Sequence, residues 1–166
     1  MPFYFFDTSA LVKRYALEDG RKWVQGLTNP ATTNRIYIAR ITGAEVIAAI
    51  MQNLRMGHNT SADAAKGIAD FRFDFANQYQ VIEITDTVVA RAMALIESHK
   101  LRGYDGVQLA SALELNDVIL SNGLSTVGVS PLTLASADGD INLAAPAEGL
   151  NVESPQAHLH PDDKTP

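Results

Sequence analysis

Apolar residues enter this chain in short blocks whose spacing switches back and forth between that of a strand and that of a helix. Phe3 to Phe6 form an unbroken aromatic run, the pattern of a strand buried on both faces, and Asp7-Thr8-Ser9 supplies helix-capping chemistry directly after it. A helix is therefore expected over 10–17, with a second over 21–27 that Asn29-Pro30 stops. Ile36 to Ala39 reads as the next strand. Thr42 then caps a longer helix whose apolar stripe is Val46, Ile47, Ile50, Met51 and Leu54, and Gly57 ends it.

The alternation continues. Residues 61–79 read as a helix carrying Ile68, Phe71, Phe75 and Tyr79, and 81–84 as a strand. Thr85-Asp86 caps a helix with Val88, Val89, Ala92, Leu95 and Ile96 that stops near Leu101, and 105–119 forms the following one. Residues 121–131, rich in Gly and Ser, read as a loop; 132–136 is a strand, 143–147 a short helix or turn, and 150–152 a last strand. Strands alternating with helices predict one three-layer α/β/α domain over residues 1–153 with a mainly parallel central sheet. After Glu153 the run SPQAHLHPDDKTP has no periodicity and several prolines, so 154–166 reads as a mobile tail in which His158 and His160 are given no role.

A length of 166 residues with 46% hydrophobic composition suits a single domain with a real core and excludes a chain disordered throughout. Cysteine is absent, which excludes disulfides, thiolate metal clusters and a cysteine nucleophile, and fits a reducing compartment such as the cytoplasm. The N-terminus places Asp7 after only four aromatic residues, the reverse of a secretion signal. No run approaches the roughly 18 apolar residues of a membrane span, so no membrane association is expected.

Four carboxylates stand where chemistry collects in a parallel sheet, outside the carboxyl ends of the strands. Asp7 follows the first strand and Asp138 the strand at 132–136, so parallel strands would bring both to one rim. Asp140 is a second acid close by; Asp138 is favoured because it ends the strand. Glu45 lies in the first turn of its helix, turned away from the Val46/Ile47/Ile50 stripe, and Asp105 opens another helix on the side of Leu109, Ala112 and Leu113. Each acid alone could be a plain cap that the helix dipole favours. As a set, converging carboxylates repel one another and are most simply retained around a divalent cation. All-oxygen ligands select Mg²⁺ or Mn²⁺, and such ions suit phosphodiester hydrolysis.

The blocks FFDTSALVKRY, GAEVIAAI, LRGYDGVQLASAL and LASADGDI, in this order, resemble the successive motifs of PIN domains, specifically the toxin nucleases of VapBC-type toxin–antitoxin pairs. The resemblance implies a Mg²⁺- or Mn²⁺-dependent endoribonuclease with Asp7, Glu45, Asp105 and Asp138 as its acidic site. The metal would be held by Asp7, Asp105 and Asp138, with Thr8, Ser9 and Ser136 as polar support. It also implies an RNA substrate, a small antitoxin that blocks the cleft, and a toxin homodimer or toxin–antitoxin hetero-oligomer. One departure is Gly106, where the family usually has alanine; a glycine there loosens a helix start by about 1 kcal/mol.

The net charge of −6 opposes RNA binding in general, although four of the acids belong to the proposed acidic site, where a bound dication would offset them. RNA must then be held by local cations, and Lys13, Arg14, Lys100 and Arg102 lie nearest the acids in sequence. Each can equally be a solvated helix face. Two rivals remain. An aspartate-nucleophile phosphatase would need a second aspartate at the position that Ser9 occupies, and a non-catalytic α/β binding module would have no use for four such carboxylates.

Overall fold

The computed structural model describes residues 1–121 and 131–164. Its centre is a five-stranded sheet, wholly parallel, in the order β3-β2-β1-β4-β5. The strands are β1 (Phe3–Phe6), β2 (Arg35–Ala39), β3 (Gln80–Ile82), β4 (Thr133–Ala135) and β5 (Asn151–Glu153). The aromatic run thus becomes the middle strand, paired with β2 through Tyr4–Ile36 and with β4 through Phe5–Leu134.

Strand geometry sends successive side chains to opposite faces, and here it divides one run into two cores. Phe3 and Phe5, with Leu132 and Leu134, pack beneath α5 (Asp86–Ser98), α6 (Gly103–Ser121) and α7 (Gly139–Ala147). Phe6, Ile36 and Ile38 pack on the other face against α1 (Thr8–Leu11), α2 (Arg21–Leu27), α3 (Thr42–Arg55) and α4 (Ser61–Asn77). Both Phe5 and Phe6 are fully buried, so the strand is apolar throughout because both of its sides are covered. The three-layer α/β/α reading is what the structure has.

Local differences have physical causes. The first helix is only one turn long and tightens into a 3₁₀ turn over Val12–Arg14 instead of running to 17. Thr42 is not a cap: Ile41 takes that position without a side-chain bond, and Thr42 is buried inside the helix start. Thr85 caps α5 as expected by accepting from the Val88 N–H. Residues 122–130 of the expected loop lie outside the described residues. At Gly106 an added Cβ would stand 2.7 and 2.8 Å from two Ile96 carbons, so the glycine lets α6 lie close against α5 rather than merely loosening a helix start.

The segment expected to be a mobile tail is instead docked over its described part, 154–164. A 3₁₀ turn, Pro155–Ala157, leads to His158, whose ring stacks on Trp23 of α2 with centroids 4.6 Å apart. Asp163 is 2% exposed and accepts from the N–H groups of Gly20, Lys22 and His160, each at 2.8 Å. Burial pushes its carboxyl up, but those backbone donors and the nearby His160 outweigh that and hold it below the usual carboxylate range. Lys164 pairs with Asp19 at 3.1 Å. Gly20 makes the crossing possible: its φ is +84°, and a Cβ there would lie 2.6 Å from Pro155.

The C-terminal segment therefore acts as a strap on the start of α2. Asp163→Ala is expected to cost about 1–2 kcal/mol, as loss of a helix-capping carboxylate does, and to lower the melting temperature. Trp23 is the chain's single tryptophan, so its emission reports the strap directly and should shift to the red. Unchanged melting and emission would mean that the strap is not docked in solution.

Candidate active site

β1 delivers Asp7 to the carboxyl rim of the sheet, and the backbone fixes it there: its N–H donates to the Ala135 carbonyl of β4 at 3.0 Å. Asp7 caps α1, accepting from the Ser9 N–H at 3.2 Å, and is only 4% exposed. Its Oδ2 also accepts from the Ser9 hydroxyl at 2.5 Å and from the Ser136 hydroxyl at 3.0 Å. Burial pushes the carboxyl up to about 6; the bonds from Ser9 and Ser136 work against that, and the negative charge of Glu45 adds to it. Among the described residues no ion pair reaches Asp7, so its charge has only neutral donors to stabilise it.

Ser136 links the two rim aspartates, because the oxygen that donates to Asp7 accepts from the Asp138 N–H at 3.0 Å. Asp138 follows β4 and caps α7, its Oδ1 accepting from Asp140 and Ile141 at 2.9 and 3.0 Å. That leaves Oδ2 free to face Arg102, whose Nη2 donates to it at 3.0 Å. The same guanidinium donates through Nε to Asp105 Oδ2 at 2.8 Å. Arg102 therefore bridges Asp105 and Asp138. Asp140 stands aside, 3.4 Å from Lys100.

Glu45 looks across from α3. Its Oε2 accepts from the Thr8 hydroxyl at 2.7 Å and from Gln108 Nε2 at 2.6 Å. Gln108, which the sequence pattern did not single out, joins the site through these contacts. Fully buried on α6, three residues after Asp105, its amide nitrogen also faces Thr42 Oγ1 at 2.9 Å and Thr8 Oγ1 at 3.0 Å. Its orientation follows from chemistry, since a carboxylate can only accept and the amide must present nitrogen to Glu45. The available signal was a polar residue within a helix that is otherwise buried nearly all round.

The structure thus brings Asp7, Glu45, Asp105 and Asp138 to one rim, with Thr8, Ser9 and Ser136 among them. Two of the expected RNA contacts are corrected. Lys13 is buried and pairs with Glu18 at 3.3 Å, and Arg14 is drawn inward to Asp74 at 2.9 Å and to the Thr28 carbonyl at 2.9 Å. The one-turn α1 and its 3₁₀ continuation carry both away from the rim. Lys100 and Arg102 keep their exposure.

An all-oxygen donor set of this kind fits a hard dication, and a buried carboxylate without a cationic partner leaves a charge for one to compensate. Among the described residues, no group of three or more carboxylate or histidine side chains stands arranged to hold a metal ion as it is. Asp105 and Asp138 are turned to Arg102 instead.

Known proteins resemble this chain in sequence and in fold. The PIN domain family matches residues 4–125. Ribonuclease VapC45 and Ribonuclease VapC49, from two strains of Mycobacterium tuberculosis, are each 34% identical over 117 residues, covering 70% of this chain and 79% of the relative. The fold is shared with a solved structure described as VapBC2 from Rickettsia felis bound to a DNA fragment from their promoter, at 14% identity and a TM-score of 0.56, over 92% of this chain and 98% of that one. A parallel five-stranded sheet with its acids gathered on the rim, the family match and two relatives of this identity lead to one conclusion: the chain belongs to the PIN-domain family.

Proposed function

We propose that this chain is an endoribonuclease, the toxin of a type II toxin–antitoxin pair, and that it hydrolyses RNA phosphodiester bonds with Mg²⁺ or Mn²⁺. The observation that carries the reading is the chain of contacts Glu45–Thr8, Asp7–Ser136–Asp138 and Asp138–Arg102–Asp105, which gathers four acids on one rim. The relatives named as VapC ribonucleases support the activity, and the VapBC2 structure supports an antitoxin partner. The activity is placed in the cytoplasm as part of the same proposal; no described helix is long and apolar enough to cross a membrane.

Asp7, Asp105 and Asp138 are the residues to hold the ion, which would polarise the phosphoryl oxygen and lower the pKa of the attacking water. Ser9 and Ser136 keep Asp7 oriented from below, since three donors converge on one oxygen and leave the other for a ligand. Glu45 is held by neutral donors, so its carboxylate stays available as an acceptor for a proton of the attacking water. Lys100 and Arg102 lie at the rim where the RNA backbone would pass. The acid-rich rim also suits an antitoxin side chain of positive charge.

Incubating the purified protein with structured RNAs tests the activity. Cleavage is expected with Mg²⁺ or Mn²⁺ and none with EDTA; cleavage that persists in EDTA would refute the mechanism.

Asp7→Asn tests the site. Asparagine keeps the shape and the cap, so cleavage should fall at least about 100-fold while the metal-free fold is preserved or strengthened. The sign follows from the raised carboxyl. Below about pH 4 Asp7 is protonated in both states and costs nothing. As pH rises from about 4 to about 6 the unfolded chain loses its proton first, so stability falls, and above about 6 the full penalty stands. The variant should thus gain about 1–3 kcal/mol at pH 7.5, with the gain vanishing toward pH 4. Melting curves across that range, beside the cleavage assay, check both; an active variant, or a gain that persists at pH 4, would remove Asp7 from this role.

A further inference from the structure

Two carboxylates that face each other across a rim repel, and here the chain places its own cation between them. Arg102 spends Nε on Asp105 and Nη2 on Asp138, at 2.8 and 3.0 Å, and its backbone N–H also donates to Asp105 Oδ2 at 3.2 Å. The two acids are largely covered, with side chains 14% and 20% exposed, whereas the arginine is 79% exposed. It lies on the site as a removable bridge and is no part of either core. Exposed ion pairs hold weakly, so an ion of twice the charge competes well for the same oxygens.

Resting on the metal-dependent reading above, we infer that Arg102 is the phosphate-binding side chain of this site, stored between Asp105 and Asp138 until a dication takes both carboxylates. Once released, the guanidinium remains tethered three residues from Asp105, at the edge where a phosphodiester drawn to the cation would lie. Its planar fork of donors matches two phosphate oxygens, which the point charge of a lysine does not. The neighbouring Lys100 makes a contrast: it is 91% exposed, 3.4 Å from Asp140, and among the described residues bridges no two acids. Arg102 thus has two effects of opposite sign, opposing metal entry and favouring RNA.

Titrating Mn²⁺ into the full chain without RNA, by calorimetry, tests the first effect. Arg102→Gln should bind Mn²⁺ about three- to tenfold more tightly than the native chain, the worth of two exposed ion pairs. Lys100→Gln removes the same charge nearby and should change the affinity less than about twofold. RNA cleavage at saturating Mg²⁺ tests the second. In Arg102→Gln the KM should rise about tenfold with kcat altered less, and the salt dependence of binding should weaken by about 0.7 in log–log slope for one lost phosphate contact. Arg102→Lys should keep the salt slope but not restore the KM.

Equal Mn²⁺ affinity in Arg102→Gln and the native chain, or equal gains in Arg102→Gln and Lys100→Gln, would overturn the bridge. An unchanged KM and salt slope in a native chain that does cut RNA would overturn the phosphate role and leave the nuclease reading intact. A native chain that cuts no RNA with either ion would instead overturn the nuclease reading, and the phosphate role with it, while the Mn²⁺ titration still decides the bridge.

Discussion

Everything at this site follows from the position of one buried negative charge. Asp7 follows the middle strand of a sheet covered on both faces, its N–H is committed to β4, and the donors of Ser9 and Ser136 hold its carboxylate where it is buried. A charge in that position is costly unless donors or a cation surround it. The fold supplies the donors from Ser9 and Ser136, and among the described residues no cationic side chain pairs with Asp7. Burial still wins, as the raised carboxyl shows. The second shared hydrogen bond of Ser136 then ties Asp138 to the same point, and Thr8, next in the chain, ties Glu45 to it.

The parts of this arrangement that are legible in the sequence are those set by short-range chemistry. An aromatic run followed by Asp-Thr-Ser can hardly be other than a buried strand feeding a capped turn, and a parallel sheet then places Asp7 and Asp138 on one rim. Proximity along the chain was misleading where the backbone turns. Lys13 and Arg14 follow Asp7 closely, but a single helical turn and a 3₁₀ turn carry them into internal ion pairs. Thr42 looks like a cap because threonine opens many helices, yet here it serves the buried amide of Gln108. The role of Gln108 depends on α1, α3 and α6 meeting, which no local pattern records.

The C-terminal strap illustrates the same limit from the other side. Composition reports that a segment cannot build a core, and by that measure residues after Glu153 belong to no domain. Docking needs less: one carboxylate against the N–H groups at the start of α2 and one imidazole against an indole are enough to hold it. Neither is periodic, so neither is visible before the fold is known. The strap and the acidic rim lie on one architecture with separate tasks, the first holding α2 and the second gathering charge.

The central claim is that the rim is built for a cation that Asp7, Asp105 and Asp138 share, with Arg102 in its place until it arrives. A crystal structure of the protein soaked in Mn²⁺, with the ion located by anomalous diffraction, tests this most directly. The account predicts a peak bounded by those three carboxylates and Arg102 turned away from Asp105 and Asp138. An ion bound elsewhere, or crystals saturated with Mn²⁺ in which Arg102 still bridges the two acids, would contradict it.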